Sequence, residues 1–152
     1  SYEQFKLDKV LFMPSGNPPH KRDRAGRASD NQRVDMVRLA IEDNPHFELS
    51  LAEMHETGYT YTYRTLEELK EYNPDTDYYF IIGADSLFAF DEWMEPERIC
   101  RACTLVVAVR DHASYAELNR EIQRLSARYT GNFALLDTMN IDVSSHQIRQ
   151  WI

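Results

Sequence analysis

The stretch that decides the fold reads Tyr78-Tyr79-Phe80-Ile81-Ile82-Gly83-Ala84-Asp85-Ser86-Leu87. Its apolar residues run without alternation up to Gly83, which is typical of a strand buried on both faces of a parallel sheet. Gly83 then permits a sharp turn, and Asp85 or Ser86 is placed to cap a helix that follows at once. Ligands of open α/β sheets bind at the carboxyl ends of the strands. The stretch therefore predicts either a ligand-facing turn or an ordinary capped connection.

Strands and helices alternate on both sides of this stretch. Strands are predicted over residues 9–13, 47–51, 104–109 and 133–136, and the strand at 104–109 is predicted to be buried on both faces. Capping boxes at Ser29 and Ser114 begin two helices. The first should have Val34, Val37 and Ile41 on its apolar face, and the second Leu118, Ile122 and Leu125. A third helix begins at Thr62, the expected N-cap, after an aromatic run. This alternation predicts an α/β fold with a doubly wound, mostly parallel sheet, in a single domain over residues 1–152.

Composition excludes several classes of protein. The 152 residues are 43% hydrophobic and 28% charged, as in a globular domain. The formal net charge of −8 argues against a nucleic-acid partner, because such a surface needs clustered positive charge. No apolar run approaches the length of a membrane span, which argues against a membrane partner. Two cysteines and no secretory leader favour the cytoplasm.

The cysteines lie in a C-x-x-C arrangement, Cys100-Arg101-Ala102-Cys103. A tetrahedral zinc site needs four ligands, and the sequence has no second cysteine pair or spaced histidine pair. A redox pair would begin a helix, whereas Cys103 leads into a strand-like run. The arrangement therefore predicts two incidental, partly buried thiols.

Two segments could bind anions. Residues 20–27 form a dense basic run, which is typical of a solvated loop or of a loop that binds phosphate. Near the other end, Ser144 and Ser145 begin a predicted helix with Arg149 one turn inside it. Hydroxyls, free N–H groups and a guanidinium can converge there on a phosphate. The alternative is a plain capped helix with a surface arginine.

Four segments together resemble bacterial nicotinate-nucleotide adenylyltransferases, a nucleotidylyltransferase family. They are Pro18-Pro19-His20-Lys21, the stretch 81–87, Trp93, and Val143-Ser144-Ser145-His146-Gln147-Ile148-Arg149, in the family's order and approximate spacing. The resemblance covers nearly all of the chain. It implies a Rossmann-like fold and adenylyl transfer from ATP to nicotinate mononucleotide, giving deamido-NAD and pyrophosphate with Mg²⁺ assisting.

The resemblance also implies a role for each matching residue. Lys21 and Arg149 are the expected catalytic cations. Trp93 is expected to stack on the pyridine ring, while the backbone amides of Thr62 and Met94 meet the nicotinate carboxylate. Residues expected at the ATP phosphates are His20, Gly83, Asp85, Ser144, Ser145, His146 and Arg149.

The sequence departs from the family in two places. His146 stands where the family usually has Thr, so imidazole replaces a hydroxyl at the phosphate. The family's upstream strand with its G-G-T-F-D-P-x-H-x-G-H motif is absent, and that strand would occupy the middle of the sheet. We therefore expect that the chain is cut at both ends, that the natural protein extends upstream of Ser1, and that the 152 residues alone are inactive.

Two alternatives stay open from the sequence. One is a sister adenylyltransferase that acts on nicotinamide mononucleotide or phosphopantetheine, because the Ser-Ser…Arg helix is shared more widely than Trp93. The other is a nucleotide-binding module without catalysis. The sequence also leaves open whether the protein forms a homo-oligomer.

Overall fold

The computed structural model describes residues 1–17, 28–54, 58–109, 114–137 and 150. The chain divides into two compact units, Ser1–Pro74 and Asp75–Ile152. Every strand pairing in the described residues is parallel, as the sequence predicts. None of the helices in those ranges is long and apolar enough to cross a membrane.

Within its described residues, the first unit contains a two-stranded parallel sheet and two helices. Its elements are β1 (Val10–Phe12), α1 (Asp30–Ile41), β2 (Phe47–Leu49), a 3-10 turn (Ala52–Met54) and α2 (Thr62–Tyr72). Strand β1 pairs with β2 so that Val10 lies opposite Phe47. The rings of Phe12 and Phe47 pack at 4.9 Å between centroids. The β–α–β order explains the parallel pairing, since the chain must cross back before it can pair in the same direction.

The capping box predicted at Ser29 is confirmed. The Ser29 hydroxyl accepts a hydrogen bond from the Gln32 backbone N–H, and the Gln32 side chain accepts from the Ser29 backbone N–H at 2.8 Å. Along α1, Val34 and Val37 are half-buried and Ile41 is buried, which confirms the predicted apolar face. Two backbone N–H donors at the start of α1 thus find their acceptors within the motif itself. For this reason the sequence alone predicts where the helix begins.

The second unit is a three-stranded parallel sheet with its connecting helices. Its elements are β3 (Tyr79–Gly83), α3 (Ala84–Phe88), a 3-10 turn (Phe90–Glu92), α4 (Pro96–Ala102), β4 (Thr104–Ala108), α5 (Tyr115–Arg128) and β5 (Asn132–Leu136). The strand order is β3-β4-β5. Helices α3 and α5 contact each other, so they lie on the same face of the sheet. This arrangement brings the carboxyl ends of all three strands to one edge.

The core of the second unit lies between β4 and the helices. Leu105, Val106 and Val107 in β4 are fully buried, which confirms the prediction of a strand covered on both faces. Leu118 and Leu125 on α5 are also fully buried, as the spacing after the Ser114 capping box predicts. Full burial of a side chain of this size stabilises the fold by roughly 1.5–3 kcal/mol.

Strand β3 is less buried than the sequence predicts. Ile82 is 5% exposed, but Ile81 is 40% exposed and Tyr79 is 38% exposed. The strand is at one end of the three-stranded sheet and pairs only with β4 among the described residues. A continuous apolar run indicates that the side chains of a strand favour burial. It does not show whether other elements pack on both faces of that strand. The prediction of a strand buried on both faces is therefore wrong for β3.

The two cysteines are free and buried, whereas the sequence predicts that they are partly buried. Burial raises the pKa of Cys100 to about 12, and burial likewise raises the pKa of Cys103 to about 12. The Cys103 thiol donates to the Ile99 carbonyl at 3.4 Å. Since the thiolate is the reactive form, neither side chain is nucleophilic near neutral pH.

Candidate functional site

Strand β3 passes directly into helix α3 at Gly83. Gly83 is the N-cap of α3 and has no side chain with which to cap the helix. Asp85 and Ser86 lie inside the first turn of the helix, so the prediction that one of them caps it is wrong. The Asp85 side chain is exposed, and its backbone carbonyl accepts from the Ala89 N–H at 3.1 Å. A carboxylate in the first turn still favours the helix through the dipole.

The backbone conformation at position 83 does not require a glycine. Its φ of −82° and ψ of 167° suit any residue, so the prediction that glycine permits a sharp turn here is wrong. A Cβ built on Gly83 would meet no heavy atom within 4 Å among the described residues. The missing side chain therefore leaves open space at the carboxyl end of β3. Close approach of a ligand is the remaining physical use for a glycine at such a place.

Trp93 packs on a cluster of aromatic rings after this turn. Phe90 is fully buried at the centre of the cluster. Its ring centroid lies 5.7 Å from Trp93, 5.9 Å from Tyr129 and 6.4 Å from Phe133. The Trp93 ring also meets Phe80 of β3 edge-on at 6.2 Å. Trp93 is itself half-buried, so the residue is not fully enclosed by this cluster.

Asp91, two residues before Trp93, is held by side chains at the end of α5. It accepts a hydrogen bond of 2.6 Å from the Tyr129 hydroxyl and one of 2.7 Å from the Arg124 guanidinium. The hydrogen bond from Tyr129 holds the pKa of Asp91 below its ordinary value, with Arg124 acting in the same direction. Burial and the Asp91 partner raise the pKa of Tyr129. No sequence motif indicated this contact.

The chain leaves Trp93 through a strained residue. Met94 is 52% exposed, and Glu95 after it has φ of 55° and ψ of 54°, in the left-handed region. That region costs a residue other than glycine about 1–2 kcal/mol, so surrounding contacts must hold the turn. Helix α4 then begins at Pro96.

In the first unit, helix α2 begins at Thr62. Tyr61 before it is the N-cap, and the Tyr61 side chain makes no hydrogen bond to the helix. The prediction that Thr62 is the N-cap is therefore wrong by one residue. Tyr61 has extended backbone and its carbonyl accepts from Arg64 and Thr65, so the backbone alone begins the helix. Amide groups at such an end suit an anion.

The loop before the basic segment is anchored to residues around α2. The Gly16 N–H donates to the Glu53 carboxylate at 3.1 Å, and the Thr65 hydroxyl donates to the same group at 3.0 Å. The Thr60 hydroxyl is buried and has no hydrogen-bond partner among the described residues. A buried polar atom of this kind calls for a water or a ligand. The sequence did not single out Thr60, because a lone threonine in an aromatic run carries no signal.

Six expected site residues lie outside the described residues: His20, Lys21, Ser144, Ser145, His146 and Arg149. Among the described residues, no three His, Cys, Asp or Glu side chains are grouped so that they could hold a metal ion. The structure thus describes Gly83, Asp85, Trp93 and Met94 in the second unit and Thr62 in the first.

Known proteins similar to this chain agree on one family. The model of cytidylyltransferase-like proteins matches residues 1–151. A relative from Lachnoclostridium phytofermentans is 39% identical over 150 residues, which are 99% of this chain and 74% of that protein. A relative from Synechococcus is 40% identical over 98% of this chain and 70% of its own length. Both are named probable nicotinate-nucleotide adenylyltransferase. The chain belongs to the nicotinate-nucleotide adenylyltransferase family.

Solved structures confirm the fold expected of this family. The nicotinic acid mononucleotide adenylyltransferase of Plasmodium falciparum superposes with a TM-score of 0.66 at 18% identity, in a structure complexed with NaAD. A second structure of that protein, complexed with APC, gives a TM-score of 0.63. The chain covers 64% and 63% of those two chains. The Rossmann-like α/β fold predicted from the sequence is therefore confirmed.

Proposed function

We propose that the protein transfers the adenylyl group of ATP to nicotinate mononucleotide, giving deamido-NAD and pyrophosphate, with residues 1–152 as one nucleotidylyltransferase domain. The observation that carries the proposal is the identity of 39% and 40% to two members of the family over nearly the whole chain. The open space at Gly83 among the described residues and the half-buried position of Trp93 support it. Buried free thiols fit a reducing cytoplasm.

The chemistry requires little covalent help from the protein. A phosphate oxygen of nicotinate mononucleotide forms a bond to the α-phosphorus of ATP. The bond from that phosphorus to the bridging oxygen breaks, and pyrophosphate leaves with the electron pair. The barrier comes from bringing two polyanions in line and from the charge that develops on the leaving group. Cations and N–H groups that are held in place before the reaction lower this barrier by stabilising the developing charge.

For the ATP half of the reaction, we assign the Gly83 turn and two cationic segments. The open space at Gly83 lets the nucleotide approach the backbone closely. His20 and Lys21 come from the basic run, while Ser144, Ser145, His146 and Arg149 come from the last predicted helix. Lys21 and Arg149 neutralise charge on the phosphates in this proposal, and the two serines donate hydroxyl hydrogen bonds.

For the pyridine half, we assign Trp93, Met94 and Thr62. The exposed part of the Trp93 ring stacks on the pyridine, held in place by Phe80 and Phe90. The N-terminus of α2 offers backbone N–H groups to the nicotinate carboxylate. The Thr60 hydroxyl, which has no hydrogen-bond partner within the described ranges, is a further donor nearby in sequence. A neutral carboxamide would accept weaker hydrogen bonds from such donors than a carboxylate does.

Mg²⁺ is expected to enter with ATP. The exposed carboxylate of Asp85, in the first turn of α3, suits one coordination position. Mg²⁺ commonly keeps several waters and takes its other ligands from substrate phosphates, so a single carboxylate fits it. When bound, the ion would reduce the negative charge on the phosphates of ATP.

The proposal is tested with full-length protein, ATP and Mg²⁺, by measuring pyrophosphate release. We expect release with nicotinate mononucleotide and a kcat/KM at least about tenfold lower with nicotinamide mononucleotide, since one charge-assisted contact is worth roughly 1.5–3 kcal/mol. Phosphopantetheine should give none. A preference for nicotinamide mononucleotide or phosphopantetheine would favour a sister enzyme instead. No release with any acceptor would reject catalysis and leave a nucleotide-binding module.

A further inference from the structure

The segment that carries Trp93 is fixed on its N-terminal side by a hydrogen-bonded carboxylate. Asp91 accepts from the Tyr129 hydroxyl at 2.6 Å and from the Arg124 guanidinium at 2.7 Å, and Arg128 lies 3.2 Å away. Asp91 belongs to the 3-10 turn Phe90–Glu92, whose end is Trp93. The backbone N–H of Trp93 donates a hydrogen bond to the Phe90 carbonyl at 3.1 Å. A shift of Asp91 would therefore move the tryptophan with it.

Tyr129 reaches the same segment through its ring. The side chain is nearly buried, with 8% exposed, and its ring packs edge-on against Phe90 at 5.9 Å. Phe90 in turn packs against Trp93 at 5.7 Å. Tyr129 thus acts on the orientation of Trp93 by two routes, a hydrogen bond through Asp91 and ring packing through Phe90.

The residues after Tyr129 fix the segment on its C-terminal side. The Thr130 N–H donates to the Glu97 carboxylate at 3.3 Å. A Cβ on Gly131 would lie 2.7 Å from the Cys100 carbonyl oxygen, so the backbone there lies directly against α4. Residues 129–131 therefore contact both ends of the segment from Asp91 to Cys100. Such support is needed because Glu95 in that segment has left-handed backbone.

We propose that Asp91 and Tyr129 are positioning residues for the pyridine nucleotide, holding the Trp93 ring at the orientation in which it stacks. This inference rests on the proposed function, since it requires Trp93 to bind the pyridine ring. Side chains that fix a binding group determine affinity without touching the ligand, because a ring free to rotate must be ordered on binding.

The inference is tested by substituting the two residues in the full-length protein. Tyr129→Phe removes the hydroxyl and keeps the ring on Phe90, while Asp91→Ala removes the acceptor. We expect Tyr129→Phe to raise the Kd for nicotinate mononucleotide about fivefold by calorimetry, as for one lost hydrogen bond, and Asp91→Ala to raise it at least as much, because it removes the bonds from both Tyr129 and Arg124. Both variants should leave the Kd for ATP within about twofold. Asp91→Asn keeps an acceptor for Tyr129 and should restore most of the affinity.

The matched control is Glu121→Gln. Arg124 donates to Glu121 at 2.7 Å as well as to Asp91. The control therefore removes a carboxylate from the same cluster and leaves the bond between Tyr129 and Asp91 intact. We expect Glu121→Gln to bind nicotinate mononucleotide and ATP with the same Kd values as the wild type. Thermal melting of every variant shows that the proteins compared are folded.

A parallel Trp93→Ala variant separates the two proposals. If Trp93→Ala leaves nicotinate mononucleotide binding unchanged, the stacking role in the proposed function is rejected. If Trp93→Ala weakens binding and neither Tyr129→Phe nor Asp91→Ala does, the positioning inference alone is rejected. Equal losses for nicotinate mononucleotide and ATP in the Tyr129 and Asp91 variants would also overturn it, since a general loosening of the fold would affect both.

Discussion

Replacing Trp93 by Ala is expected to raise the Kd for nicotinate mononucleotide about 30-fold, because stacking of a base on an aromatic side chain is worth roughly 1–3 kcal/mol. The Kd for ATP should change by less than about threefold. Isothermal titration of the full-length protein with each nucleotide measures both values. The difference between the nucleotides is the informative quantity, since Trp93 also packs on Phe80 and Phe90 and the variant loses stability.

Trp93→Phe is the matched control for this prediction. It keeps a flat ring on Phe90, so it should retain most of the stability and an intermediate affinity for nicotinate mononucleotide. The experiment on Trp93→Ala is done well below its melting temperature, because truncation of a large aromatic in a packed cluster costs roughly 3–5 kcal/mol. Equal losses of ATP and nicotinate mononucleotide affinity in a folded Trp93→Ala protein would remove the stacking role.

Replacing Gly83 by Ala is expected to weaken ATP binding about tenfold without destabilising the protein. A methyl group at this position meets no described atom within 4 Å, and the backbone angles suit alanine. The free energy of unfolding should therefore stay the same or rise by roughly 0.4–1 kcal/mol, the usual effect of removing a glycine at a compatible position. Denaturant unfolding and ATP titration measure the two effects separately.

Gly131→Ala is the control for that variant. Its methyl group would lie 2.7 Å from the Cβ and from the carbonyl oxygen of Cys100, so something in the core must shift. We expect a loss of roughly 1–3 kcal/mol in the free energy of unfolding. ATP affinity of the folded fraction should not change. If Gly83→Ala binds ATP as tightly as the wild type, the open space at Gly83 is not used by the nucleotide.

The parts of the fold that depend on local chemistry were predictable from the sequence. The capping boxes at Ser29 and Ser114 satisfy their own helix ends within four residues, so each motif is sufficient to place a helix start. The burial of Leu105, Val106 and Val107 also follows from an uninterrupted apolar run. The β3 run looks the same in sequence, yet Ile81 is 40% exposed. Burial of a strand depends on which elements cover it, and that information is not local.

The candidate site was predictable only where a motif carried it. Trp93 was singled out by its place in a family pattern and Gly83 by its place after an apolar run, although the reason given for Gly83, a sharp turn, is wrong. Thr62 was placed one position off because Tyr61 begins α2 with backbone geometry alone. The contact between Asp91 and Tyr129 joins residues 38 positions apart and obeys no periodicity. The unpartnered Thr60 hydroxyl likewise depends on tertiary packing.

The central claim is that the Gly83 turn and Trp93 bind the two halves of one dinucleotide. Both lie in the second unit, and Trp93 packs on Phe80, three residues before Gly83 on the same strand. The most direct measurement is the Kd of the full-length protein for deamido-NAD, with the wild type, Gly83→Ala, Trp93→Ala and the double variant. We predict that each substitution weakens deamido-NAD binding by about the factor found for its own nucleotide, and that the free energies of the two losses add. Wild-type affinity for deamido-NAD in either single variant would contradict the account.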